Sequence, residues 1–168
     1  GFNASKHKHL INHPPATARD VQHSLVILER ELLRIGIRTN LYSAPIRRLE
    51  VCTDIEVDAP LEAYWESLAN CRPPSRMKMR QYSHGITCAN TRAALKVYGK
   101  YYQLRRHFGP KAEEMHLPPE NTIRFETVAL SPAAMRKKIG SYSMGEVSEL
   151  SKASIDWHVS MGGGLFNG

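Results

Sequence analysis

Between residues 14 and 36 apolar side chains return at helical steps. Val21, Leu25, Leu28, Leu32 and Ile35 are spaced alternately four and three apart, so all five share one face. Pro14-Pro15 introduces this predicted helix, and Gly36 is suited to cap its C-terminus. From residue 46 to 57 the period shortens to two. Leu49, Val51, Thr53, Ile55 and Val57 point one way, and Arg48, Glu50, Cys52, Asp54 and Glu56 the other, as in a half-buried strand. Asp58-Ala59-Pro60 predicts a helix through Leu68, since Asp caps and Pro tolerates the first turn. After a loop at Arg72-Pro73-Pro74-Ser75, residues 77–82 read as a basic strand, with 85–89 its continuation or its partner.

Beyond a turn at Asn90-Thr91, residues 93–102 alternate again. Leu95, Val97 and Tyr101 form one face; Lys96, Tyr98, Lys100 and Tyr102 form the other. A polar loop with Gly109-Pro110 and Pro118-Pro119 leads to a strand over 122–130, where Ile123, Phe125 and Thr127 oppose Arg124, Glu126 and Val128. Ser131-Pro132 opens a short helix to about Ile139. After Gly140 the pattern fades, and Gly162-Gly163-Gly164 reads as a flexible tail. These elements predict an α+β domain, a mainly antiparallel β-sheet with helices packed on one face and active residues on the other. The domain is expected over 1–140, with 141–168 a partly flexible C-terminal extension.

Composition changes the picture in one respect. The 168 residues carry 42% apolar and 23% charged side chains, which is ordinary for a folded domain. Yet 23 Lys and Arg stand against 16 Asp and Glu, a net charge of +7. That balance suits a polyanionic partner, because each neutralised phosphate releases counterions. Cys52, Cys71 and Cys88 are an odd number without CxxC spacing, which points to reduced thiols rather than disulfides or a zinc site. No apolar stretch approaches the roughly 20 residues of a membrane span. The chain opens at Gly1-Phe2-Asn3 without Met, which suggests a piece of a longer protein.

Chemistry enters through two tripeptides, Arg48-Leu49-Glu50 and Arg124-Phe125-Glu126, with Tyr98-Gly99-Lys100 between them. Were these strands neighbours, one surface would present two carboxylates, a tyrosine, a lysine and two arginines. Carboxylates bind hard cations through oxygen, a cation polarises phosphate, and Lys or Arg offsets the charge developing on its oxygens. A tyrosine there would serve as covalent nucleophile. The plainer reading is a solvated face with cross-strand ion pairs of little energetic weight.

Taken together, Arg48-Leu49-Glu50, then Leu95-Lys96-Val97-Tyr98-Gly99-Lys100, then Ile123-Arg124-Phe125-Glu126 resemble the gene II/X replication proteins of filamentous phages. That family carries Arg-Ile-Asp, a Tyr-x-Lys strand and Arg-Phe-Glu in this order. Ala4-Ser5, Lys8, Leu10 and His13 fall where it shows Ser-Pro-x-Lys-x-Leu followed by Gly-His-Asn. The resemblance spans roughly residues 3–139. It implies a rolling-circle replication initiator that nicks origin DNA, keeps the 5′-phosphate on tyrosine, and leaves a 3′-hydroxyl to prime synthesis. Tyr98 then corresponds to the nucleophile and Lys100 to its companion. Glu50 and Glu126 correspond to acidic positions expected to hold Mg²⁺ or Mn²⁺. Implied partners are single-stranded or supercoiled origin DNA and the host's replication machinery, in a bacterial cytoplasm. The sequence departs from the pattern at Glu50, in place of Asp, at Ser5-Lys6, and at Asn12-His13-Pro14.

Lys8, Arg48, Arg76, Lys78, Arg80, Lys96 and Arg124 are the residues expected to contact DNA; Arg105, Arg106 and His107, and Arg136, Lys137 and Lys138, are further basic clusters. His7-Lys8-His9 has Lys where a buried metal-binding strand would want an apolar residue, so it reads as a basic segment. His84, beside Gly85, reads as a turn residue, Tyr101 and Tyr102 as packing or base-stacking rings, and Asp54 and Glu56 as solvated charges, with a third metal ligand as the alternative for either. Two rivals remain: a non-catalytic module that grips nucleic acid with the same face, and a structural protein whose basic surface is incidental.

Overall fold

A computed structural model describes residues 13–74, 76–139, 143 and 156–161. The first helix, α1 (Ala18–Arg34), starts with a reciprocal cap. Thr17 accepts from the Asp20 amide, and the Asp20 carboxylate accepts from the Thr17 amide at 2.9 Å. Its end is fixed by Gly36 at φ +84°, where the Gly36 amide bonds Leu33 and the Ile37 amide bonds Leu32. Of the five residues expected on its apolar face, Leu25 is fully buried, whereas Ile35 lies 71% exposed.

Among the described residues five strands follow: β1 (Leu49–Glu56), β2 (Lys78–Tyr82), β3 (Gly85–Ala89), β4 (Ala93–Gly99) and β5 (Thr122–Ala129). They form one sheet in the order β1-β5-β4-β3-β2, with every pairing antiparallel. Residues 85–89 are thus the partner of β2 rather than its continuation. The β3–β4 turn is held by Asn90, whose side-chain oxygen accepts from the Arg92 and Ala93 amides.

Odd-numbered residues of β4 and β5 face the core. Leu95, Val97 and Ile123 pack with Ile86 and with Leu61, Trp65 and Leu68 of helix α2 (Leu61–Ala69). Pro60, not Asp58, occupies the cap of that helix, with no side-chain cap bond. A second cluster joins Ile46, Ala93, Ala129 and Met135 of helix α4 (Pro132–Ile139) to Trp157. Trp157 belongs to residues 156–161, which are helical, so part of the expected C-terminal extension packs into the domain core. His158 pins it further, bonding Thr127 at 2.9 Å and Thr53 at 3.1 Å. Gly162-Gly163-Gly164 lies outside the described residues.

One correction matters for the site. The alternation over 93–102 predicts a single strand, but β4 ends at Gly99 and helix α3 (Lys100–Phe108) begins at once. Lys100 and Leu104 are four apart and both are buried, a helical spacing hidden by the overlapping period of two. Arg105, Arg106 and His107 in its last turn also suit the negative end of the helix dipole. Tyr102 consequently packs against the core cluster instead of sharing a strand face with Tyr98.

Candidate functional site

Side chains directly opposed in an antiparallel pair share a sheet face. The register therefore draws two rows across the polar face. One runs Cys52, Glu126, Lys96, Thr87, Arg80; the next runs Asp54, Arg124, Tyr98, Gly85, Tyr82. Glu126 joins the rows. Its carboxylate accepts from Lys96 across β4 and from the Tyr98 hydroxyl at 2.9 Å. In the second row Arg124 clasps Asp54 with two bonds, Nε to Oδ1 at 2.5 Å and a terminal nitrogen to Oδ2 at 2.6 Å. His13 meets the same carboxylate at 3.0 Å.

Burial sets the electrostatics. Desolvation, then the Glu126 carboxylate, pushes the Tyr98 hydroxyl well above its ordinary range. Lys100 is fully buried, and desolvation with nearby Arg124 pulls its ammonium down to about 7. It donates to the Gln103 side-chain oxygen at 2.8 Å and lies 5.9 Å from the centre of the Tyr98 ring. Burial opposes ionisation of Asp54, but the Arg124 guanidinium outweighs it and holds the carboxyl below its usual value. Burial raises the Cys52 thiol.

Of the expected residues, Tyr98, Lys100, Lys96, Arg124 and Glu126 come together. Glu50 does not join them. It pairs in register with Val128, beyond which lies Ala94, so apolar side chains occupy its row where Glu126 has Lys96. Arg48 takes its carboxylate instead, Nε to Oε1 at 2.8 Å. The expected pair of metal carboxylates thus reduces to Glu126 at the tyrosine, and among the described residues no three His, Cys, Asp or Glu side chains converge as a ligand set. Arg124, expected on DNA, is 2% exposed and already bound to Asp54. Lys78 and Arg80 are exposed on edge strand β2, on the same face as Tyr98, and Arg76 is exposed just before them. Lys8, His7 and His9 lie outside the described residues.

Asp54 corrects the expectation of a solvated charge: it is the anchor of Arg124. Only the pairing of β1 with β5 reveals this. Gly85 was legible merely as a turn neighbour, yet a Cβ there would stand 2.7 Å from the Tyr98 Cβ. A glycine is what lets β3 approach Tyr98 so closely. Beside it opens a cleft of about 490 Å³, between the β2–β3 turn and α3, with Tyr98 in its wall.

Comparison with protein-family models, with curated proteins and with solved structures finds no match for this chain. Among the described residues no helix is long and apolar enough to cross a membrane.

Proposed function

We propose that this domain is a metal-dependent DNA-nicking and strand-transfer enzyme of rolling-circle replication, with Tyr98 as nucleophile. The observation that supports it most is the Tyr98 hydroxyl donating to Glu126 beside Lys96, on a face that continues to the exposed Arg80 and Lys78.

A tyrosine held above its ordinary range needs a base at hand, and Glu126 is bonded to the proton that must leave. As Tyr98 Oη bonds to the scissile phosphorus, its proton passes to Glu126 and the bond from phosphorus to the 3′ oxygen breaks. That oxygen departs as a 3′-hydroxyl by taking a proton from solvent water, leaving the 5′-phosphate on Tyr98. Lys96, the more exposed of the two site lysines, offsets negative charge on the phosphate oxygens, while fully buried Lys100 acts from within, 5.9 Å from the Tyr98 ring. Arg124 acts indirectly, fixing Asp54 and keeping positive charge beneath the tyrosine.

Mg²⁺ or Mn²⁺ is the expected cofactor. Glu126 would hold it through Oε1, in place of Lys96, with Oε2 kept on the Tyr98 hydroxyl, because such ions are held by one or two carboxylates with waters and substrate phosphates completing the shell. When bound, the ion would polarise the scissile phosphate. Origin DNA as substrate, and host replication proteins as users of the 3′-hydroxyl, complete the proposal.

A denaturing gel of the protein with labelled single-stranded origin DNA tests it. Manganese should give a covalent protein–DNA band that EDTA and Tyr98→Phe both abolish. Tight binding without any band would favour a non-catalytic binding module. That second reading has its own support, since Glu126, Asp54 and Glu50 are each already paired with a cation.

A further inference from the structure

We infer that the cleft beside Tyr98 holds an unpaired nucleotide, and that the strand presented to this face is single-stranded DNA. The inference rests on the nicking proposal for the identity of the substrate, but its chemistry is read from the cleft itself. The volume, about 490 Å³, lies within the ~300–1,000 Å³ usual for small-ligand sites. Its walls suit a flat, anionic guest. His84 and Tyr102 are stacked in the wall, with ring centres 4.5 Å apart and planes 8° from parallel. Tyr82 at the rim is 56% exposed. Bases stack on such rings irrespective of sequence, because every base has a π-face.

Polar and charged groups complete the fit. Lys100 takes the carbonyl oxygen of Gln103, so the amide NH₂ is the end of Gln103 left to meet a base. Arg106 and His107 supply positive or neutral groups, and no carboxylate belongs to the lining, so nothing there repels a phosphate. A base paired in duplex DNA has both faces covered by its neighbours and cannot enter a cleft of this kind without being extruded. Since Tyr98 forms part of the wall, a nucleotide seated here places its backbone next to the nucleophile.

Fluorescence anisotropy of the whole chain in EDTA tests this without cleavage. The probes are a labelled oligodeoxythymidine of about ten nucleotides, within the range one such groove spans, and a hairpin duplex of similar length. The single strand should bind at least ~10-fold tighter. Exposed His84→Ala should weaken it by roughly 5-fold or more, the lower range for one stacked base. Arg106→Ala should reduce the slope of log affinity against log salt by about one contact. Arg30, exposed on α1 and not part of the lining, is the control, and Arg30→Ala should leave affinity nearly unchanged. Equal affinity for duplex, or equal losses in Arg30→Ala and Arg106→Ala, would overturn the cleft assignment. Because this readout needs no covalent step, a missing protein–DNA band would sink the nicking proposal alone. A retained band with unaltered binding in His84→Ala and Arg106→Ala would sink the cleft alone.

Discussion

The chain contains the pattern Arg-x-Glu twice, and the two copies meet opposite fates. In both, a period of two puts Arg and Glu on the polar face. Arg48 and Glu50 sit at the start of β1, an edge strand, and bond to each other with 54% and 40% of their side chains exposed. Arg124 and Glu126 lie on β5, between β1 and β4, at 2% and 7%. Neither bonds the other. Arg124 turns to Asp54 on one side, and Glu126 turns to Lys96 and Tyr98 on the other. Periodicity sets the face of a residue; strand order sets its partners and its dielectric surroundings. An edge position makes a pair of small energetic weight, whereas the interior position builds a coupled network around a tyrosine.

The sharpest way to break the comparison is to remove each arginine in turn. Arg124→Met takes the guanidinium from the largely buried Asp54 carboxylate and leaves it His13, a loss of about 3–5 kcal/mol. For a domain of this size that lowers Tm by roughly 2–4 °C per kcal/mol. Arg48→Met should cost under ~1 kcal/mol. The interior effect is also acid-sensitive. The folded carboxyl of Asp54 sits below its unfolded value, so its contribution is present above about pH 4 and is lost as pH falls through the depressed value. Equal shifts in thermal melts of the two variants would refute the contrast.

This contrast also marks what a single sequence reveals. Residues 85–89 read equally as a continuation of β2 or as its partner. Strands β1, β2, β4 and β5 and helices α1, α2 and α4 are legible, because Leu95 and Val97, or Leu25 and Leu28, carry clean periods. Helix α3 was not, since Lys96, Tyr98, Lys100 and Tyr102 continue the strand period past Gly99 while Lys100 and Leu104 carry the helical one. At the site, Tyr98, Glu126 and Lys96 were accessible from order and spacing. The roles of Asp54 and Glu50 were not. Each is one of three acids alternating along β1, and only the register with β5 puts Asp54 against Arg124 and Glu50 against Val128. A strand's own sequence holds no record of which residue will lie opposite.

A smaller effect separates the fully buried Lys100 from the exposed Lys78 of β2. Its folded ammonium loses the proton near 7, against 10.5 ordinarily, so between those values the unfolded chain binds a proton that the folded chain does not. Stability therefore rises with pH across that window, by on the order of 1 kcal/mol from pH 7 to 8. The unfavourable term is full below pH 7. In Lys100→Met this slope should vanish, while Lys78→Met, on an exposed residue, should keep it. Parallel denaturant titrations at the two pH values decide the matter; an unchanged slope in Lys100→Met would assign the effect elsewhere.

The smallest expected effect is the most discriminating for the chemistry. Glu126 helps to hold Tyr98 above its ordinary range, both by its charge and by accepting the hydroxyl proton, although burial contributes more. Glu126→Gln should bring the tyrosinate absorbance of Tyr98 to lower pH, seen as a difference against Tyr98→Phe, and should remove the manganese dependence of adduct formation. Glu50→Gln forfeits only an exposed pair with Arg48, so stability should fall by less than ~1 kcal/mol, with the Tyr98 titration and the manganese curve unmoved. The two substitutions make the same change to the same residue type on the same sheet face, which leaves position as their one difference. A shifted manganese curve in Glu50→Gln would mean that Glu50 leaves Arg48 to join Glu126 at the metal. The edge copy of the motif would then belong to the reacting centre after all.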